Sequence, residues 1–280
     1  MASPKDSLSP FDPLHSLFTS KTDTRITRLS KLLSTAGGVD STLTLVGYGL
    51  FFVSSQLQNL QSLELKGFSH LLAPDTALKA GIKTPIPTLT DVIVSTKTLA
   101  GMCSDFRTFT RLWGLLGVYA LSKKQYFDPP KDAVLKAVSL AQILSLGSYY
   151  VYENAYYLAS KGVLRGWTPE KITRWAKTSL KLFLFYELMD LVKLWRSRVL
   201  REERKAKIAA EGEGDEKEKV MREIRKEEEA WVRLALVTAA YIPVSVHWAS
   251  EKWKLSDGWV GAFLTAVGIV KARAAWASTA

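Results

Sequence analysis

The sequence predicts an all-α helical membrane protein built from amphipathic helices, a charged loop and a C-terminal helical hairpin. Three observations lead there. Hydrophobic residues make up 47% of the chain while 23% is charged, with a net charge of +11, as when apolar segments alternate with charged ones at a membrane surface. Two segments near the C-terminus, Trp231 to Trp248 and Trp259 to Trp276, are each bracketed by tryptophan. At about 1.5 Å per helical residue each covers roughly 25 Å, close to the hydrocarbon thickness of a thin bilayer. Finally, Arg196 to Glu229 holds eleven Lys/Arg and eleven Asp/Glu, so the most charged stretch is neutral and the basic surplus lies beside the apolar segments.

In chain order, residues 1–23 are expected to be disordered, with Ser3 and Ser9, each before a proline, as candidate phosphorylation sites. Met1 to Pro13 lacks the apolar centre of a secretory signal, and Ser278-Thr279-Ala280 is not a peroxisomal matrix address, so membrane segments are expected to carry any targeting. A helical membrane-associated region is expected over residues 24–195. It opens at Thr24 to Leu33, where Ile26, Leu29, Leu32 and Leu33 share helical spacing and Arg25, Arg28 and Lys31 recur every third residue, which predicts a short basic amphipathic helix. The apolar run Leu43 to Val53 is shorter than the roughly 20 residues a span needs and is read as a packed or half-inserted helix. Pro74, Pro85 and Pro87 bound a loop.

From Leu89 to Leu116 the longest amphipathic pattern follows: Val92, Leu99, Phe106, Phe109 and Trp113 recur near a 3.6-residue period, with Arg107 and Arg111 at other positions. Taken alone, such a helix fits the core of a soluble bundle; the membrane segments elsewhere favour insertion into lipid. Asp128-Pro129-Pro130 ends this region. Ala133 to Val151 is apolar enough to span, and Tyr149, Tyr150, Tyr152, Tyr156 and Tyr157 crowd its end, where amphipathic rings prefer the headgroup level. Between Lys161 and Lys181 six basic residues face one acid, Glu170, a patch attracted to anionic lipid. Trp175 to Trp195 is interrupted by Lys181, Glu187, Asp190 and Lys193 and is expected to face a bundle or the interface rather than lipid.

Residues 196–229 are expected to form a solvated charged loop of helical tendency, broken at Gly212-Glu213-Gly214-Asp215. Residues 230–280 then make the membrane hairpin, with Glu251 to Asp257 as its turn and Arg233, Lys271 and Arg273 near its ends, where long side chains reach the interface. In its last helix Gly258, Gly261, Thr265, Gly268, Ala272 and Ala275 form one face of small residues, which permits close helix approach either between copies or within one chain.

No catalytic machinery is visible. A single Cys103 and three scattered histidines give neither a disulfide framework nor a metal cluster, and no phosphate-cradling loop or nucleophile elbow is present, so no cofactor is expected. His70 and Asp75 match a His-x4-Asp acyltransferase spacing, but Pro74 interrupts it and no partner block follows. Nucleic acid is not an expected partner, because the basic patch sits among membrane-like segments.

Two blocks carry a resemblance. Arg28 to Asp40 (Arg-Leu-Ser-Lys-Leu-Leu-Ser-Thr-Ala-Gly-Gly-Val-Asp) with Leu43 to Gly49, and Ser104 to Leu115 (Ser-Asp-Phe-Arg-Thr-Phe-Thr-Arg-Leu-Trp-Gly-Leu), resemble the peroxin-11 family, particularly its gamma-like branch. The resemblance implies an integral protein of the peroxisomal membrane, without enzymatic activity, that elongates the membrane before division. It implies an amphipathic segment in the cytosolic leaflet and recruitment of a fission adaptor and a dynamin-related GTPase, while self-association is the expectation drawn from the small-residue face of the last helix. The amphipathic role maps onto the helix with Phe106, Arg107 and Arg111, although this sequence has fewer charges on the polar face than the family pattern. The alternative is an oligomeric solute channel, with Gly261 and Gly268 in its helix contacts.

Overall fold

A computed structural model describes residues 20–71, 87–211 and 214–279, and every regular element among them is helical. Ser20 opens the first helix, α1 (Lys21–Leu33), by accepting the Asp23 amide at 3.1 Å. Then come α2 (Ala36–Leu71), α3 (Pro87–Thr110), a single 3₁₀ turn (Arg111–Trp113), α4 (Gly114–Phe127), α5 (Ala133–Ser160), α6 (Pro169–Glu211), α7 (Gly214–Ala249) and α8 (Asp257–Ala277). Asp132 caps α5 by accepting the Leu135 amide at 3.0 Å, as expected of an aspartate one residue before a helix. Gly162 at φ 77° makes the turn into α6, a left-handed conformation that costs glycine nothing.

The helices close into a ring of neighbours. Moving around it, α3 packs on α2, α2 on α8, α8 on α7, α7 on α6, α6 on α5 and α5 on α4, which continues from α3 through the 3₁₀ turn. Gly114 sets the approach of α4 to α5: a side-chain carbon there would stand 2.3 Å from the Tyr150 ring. The tightest apolar packing lies between α7 and α8, where Val244, Leu264 and Val267 are almost fully buried.

Four helices are long and apolar enough to cross a membrane: Ala36–Leu63 within α2, Ala133–Ser160, Gly214–Ala249 and Asp257–Ala277. The expected hairpin and the expected span beginning at Ala133 are among them. The run Leu43 to Val53 is longer than its apolar core suggests, because α2 draws in its flanks. Ser54, Thr44 and Ser41 are buried, and their hydroxyls return hydrogen bonds to carbonyls three or four residues earlier, so uncharged polar flanks carry little cost.

Residues 196–229 are helical rather than a loop. Lys/Arg on α6 meet Glu on α7, as in Arg204 with Glu227 at 2.6 Å and Lys205 with Glu228, while Ile224 is fully buried between them. Helix α6 ends at Glu211 and α7 begins at Gly214, at the position of the expected break. Helix also begins sooner than Thr24, at Lys21. Ser3, Ser9, the loop containing Pro74 and Pro85, and Asp75 lie outside the described residues, as does the side chain of His70.

Burial in this ring is inverted relative to a water-soluble bundle. Among the described residues seventeen hydrophobic and fifteen polar or charged side chains are buried, while thirty-four large hydrophobic ones are exposed. A soluble protein hides its large apolar groups and leaves charges outside; the reverse fits a surface facing hydrocarbon.

Candidate functional site: an outer apolar stripe and a charged central cavity

Helix α3 and the 3₁₀ turn that continues it present two different faces. Inward, Ile93, Ala100, Cys103 and Arg107 are buried, and α2 comes so near that a side-chain carbon on Gly47 would stand 2.9 Å from Cys103 Cβ. Outward, Val92 (48% exposed), Leu99, Phe106 (50%), Phe109 and Trp113 (55%) line one side, and the rings of Phe109 and Trp113 meet edge to face at 5.4 Å. At about 100° per residue the two faces are separated by roughly a third of a turn. The seven residues expected to form one membrane-inserting face are thus divided: five apolar side chains point out, and both arginines point in. Ile93 and Cys103, which share the apolar periodicity, also point in.

Each inward arginine meets a carboxylate from another helix. Arg107 Nε donates to Asp40 Oδ1 at 2.8 Å, with its guanidinium 5.6 Å from the centre of the Tyr48 ring. Arg111 makes a two-pronged pair with Glu153, through Nε at 2.7 Å and Nη2 at 2.8 Å, and the Tyr149 hydroxyl donates to the same carboxylate at 2.7 Å. Paired charges of this kind are tolerated inside a bundle where single ones are not. Of the tyrosines near the end of α5, Tyr149, Tyr150 and Tyr156 face this interior, Tyr157 is buried, and the Tyr152 ring meets that of Trp175 of α6 at a tilt, with centroids 4.6 Å apart. Glu187 and Asp190 also face the bundle, as the interruption of Trp175 to Trp195 by charges predicts.

These groups surround a cavity of about 630 Å³, walled by α2, α3, α5, α6, α7 and α8. Besides the two ion pairs it contains Glu187 and Asp190 from α6 and Lys271 from α8. Gln142 donates to Asp190 at 2.7 Å, Lys271 Nζ lies 5.4 Å from the centre of the Tyr241 ring, and Glu187 Oε2 has no hydrogen-bond partner. A second cavity of about 390 Å³, mostly apolar, adjoins it and shares Tyr48, Ser104, Arg107 and Trp248 with it. Asp40, Glu153 and Lys271 are site residues that periodicity does not single out. The available signal is a lone charge inside an otherwise apolar helix.

The small face of α8 is filled by the same chain. A side-chain carbon on Gly261 would stand 2.7 Å from Phe52 Cα, one on Gly268 2.6 Å from Leu45 Cα, and one on Gly258 3.1 Å from the Gln56 amide, so α2 occupies this face. An oligomeric channel assembled through these glycines has no free face to use. At the far end of α8, Arg28 donates to the Trp276 carbonyl at 3.0 Å and stacks on its ring, and Lys31 donates to the Thr279 carbonyl at 3.3 Å. The basic side of α1 therefore closes the C-terminus of α8, as cations do at the negative end of a helix dipole, while Ile26, Leu29 and Leu33 stay exposed. Among the described residues no three His, Cys, Asp or Glu side chains are placed to hold a metal ion, and Cys103 is a buried free thiol.

The family model described as Peroxisomal biogenesis factor 11 (PEX11) matches residues 89–276, from the first turn of α3 to the last turn of α8. No curated protein and no solved structure matches the chain. The match takes in about two thirds of the sequence, including both halves of the α7–α8 hairpin and the arginines that close the central cavity, and the chain belongs to the peroxisomal biogenesis factor 11 family.

Proposed function

We propose that this peroxisomal membrane protein elongates the membrane by sinking the outer stripe of α3 and its continuation into the cytosolic leaflet, as a step towards peroxisome fission. One observation carries the reading: Val92, Leu99, Phe106, Phe109 and Trp113 are exposed together on one side of α3 and the turn that follows it, while the other side is fixed by part-buried ion pairs. A free amphipathic helix must fold when it meets lipid. This one is already folded and aimed. Its apolar side chains enter to a depth of roughly 5–10 Å, which spreads one leaflet's headgroups without spreading the other's and favours positive curvature.

Anionic lipid is the surface this reading requires. Lys161, Arg165, Lys171, Arg174, Lys177 and Lys181 run from the turn after α5 into the first turns of α6; Lys161 and Lys177 pair with Asp105 and Glu251, and each cation close to an anionic surface contributes about 1 kcal/mol of attraction. Arg107 and Arg111 act differently from headgroup anchors: they hold the helix against α2 and α5, so that its apolar side is presented. Self-association and recruitment of a fission adaptor and a dynamin-related GTPase complete the proposal, with surfaces other than the small face of α8. The role needs no catalytic group and no cofactor.

The test is reconstitution of the full chain into anionic vesicles, wild type against a variant carrying Phe106→Ser, Phe109→Ser and Trp113→Ser. Tubules are expected with the wild type and spherical vesicles with the variant. Equal tubulation by both would refute the proposal.

A further inference from the structure

We propose that the central cavity binds an organic ammonium group, with Glu187 as its counter-ion, the aromatic rings beside it as its walls and the adjoining apolar cavity as the seat of any attached chain. The starting point is Glu187, 5% exposed, whose Oε2 meets no donor. A carboxyl placed so deeply either keeps a proton or takes a cation. The other cavity carboxylates are engaged: Asp40 by Arg107, Glu153 by Arg111 and Tyr149, and Asp190 by Gln142. Both arginines are engaged in return, which argues against an anion as the occupant.

The walls select the kind of cation. A metal ion takes six or more oxygen ligands or a cluster of acids and imidazoles, and no such cluster occurs among the described residues. Aromatic rings dominate instead. Phe183 packs against Tyr149, Tyr186 and Tyr241, with centroids 5.4, 6.4 and 5.8 Å away, and all four line the cavity with Glu187. Such faces attract the diffuse charge of an ammonium group. Lys271 already places one over Tyr241, so this wall accepts the chemistry. The volume of about 630 Å³ falls within the range of small-molecule sites. Because the apolar cavity of about 390 Å³ opens on Tyr48 and Trp248, an alkyl or acyl chain attached to the ammonium has somewhere to go. A free amine and a lipid headgroup share this recognition.

The experiment uses the full chain in a nonionic detergent and measures retention of labelled choline by equilibrium dialysis, with sodium chloride, tetramethylammonium, lysophosphatidylcholine and lysophosphatidylglycerol as competitors. Saturable retention is expected, displaced by tetramethylammonium but not by sodium. Displacement by lysophosphatidylcholine at lower concentration than by tetramethylammonium identifies a lipid headgroup as the source, and the reverse order a free amine; either supports the proposal. Glu187→Gln is expected to weaken retention at least about tenfold, as loss of a buried counter-ion requires. Should that variant fail to fold, Tyr241→Leu is expected to weaken it as well. No saturable retention, equal displacement by sodium, or an unaffected Glu187→Gln overturns the proposal, Glu187 then being simply protonated. Retention seen only after Lys271→Gln also overturns it, because Lys271 then fills the site in the native protein.

Discussion

Glu153 receives three hydrogen bonds from two side chains, and its carboxylate is almost wholly withdrawn from solvent. Replacing it by glutamine keeps the shape but turns an NH₂ towards a guanidinium and leaves Arg111 with no compensating charge. Breaking one side of a buried pair typically costs about 3–5 kcal/mol, whereas replacing both sides by apolar residues costs far less. Glu153→Gln should therefore lower the unfolding midpoint in detergent strongly, and the double variant Arg111→Leu with Glu153→Leu should recover much of the loss. Asp132 is a different case, at the surface end of α5. The Arg196 guanidinium, 2.7 Å away, and the Leu135 amide hold its carboxyl below the ordinary aspartate range. A depressed folded value stabilises the protein above the unfolded one, and that stability is lost as pH falls through about 3.9 and on through the folded value. The difference in Tm between wild type and Asp132→Asn should accordingly be constant above about pH 5 and shrink below it; a difference that grows on acidification would contradict the assignment.

At the scale of elements, the contact between α2 and α8 depends on the absence of side chains. Gly261→Val or Gly268→Val would force the helices apart, at a cost of about 1–3 kcal/mol expected for overpacking, visible as a lower Tm in detergent. The small face of α8 is legible in the sequence because its glycines recur every three or four residues; its partner is not, since nothing local to α2 announces that Phe52 and Leu45 will meet it. Tryptophan bracketing likewise makes the α7–α8 hairpin legible, and Ala133 to Ser160 declares itself by being nearly free of charge. The extent of α2 is harder to read, because Ser41, Thr44 and Ser54 look like interruptions until their hydroxyls are seen bonded within the helix. Arg196 to Glu229 looks solvated because its few apolar residues, such as Leu200, Ile208, Met221 and Ile224, are scattered among twenty-two charges, several of which pair between the two helices. The central cavity is the least legible feature: residues 40, 107, 153, 187 and 271 come together only when the ring closes.

Across the whole molecule, the proposed function assigns anchoring and shaping to different parts of one chain. Four helices are long and apolar enough to hold the protein in the bilayer, and the stripe on α3 adds little to them, because its five side chains are a small area beside the apolar surface exposed on α2, α5, α7 and α8. The inward arginines, in turn, tie the stripe to α2 and α5, and under the proposed function its insertion would bend the membrane instead of merely bringing a loose segment to the surface. The two roles should therefore separate in cells. With Phe106, Phe109 and Trp113 replaced by serine, the chain should still co-localise with peroxisomes and resist alkaline carbonate extraction as the wild type does, since every candidate span is untouched. Peroxisome shape should change nonetheless, with fewer elongated profiles than in cells carrying the wild-type chain at equal abundance. If the variant is instead released by carbonate, α3 is part of the anchor, and the division of labour is wrong. If it stays anchored and peroxisome elongation is unaltered, curvature arises elsewhere in the ring, and the exposed stripe of α3 needs another explanation.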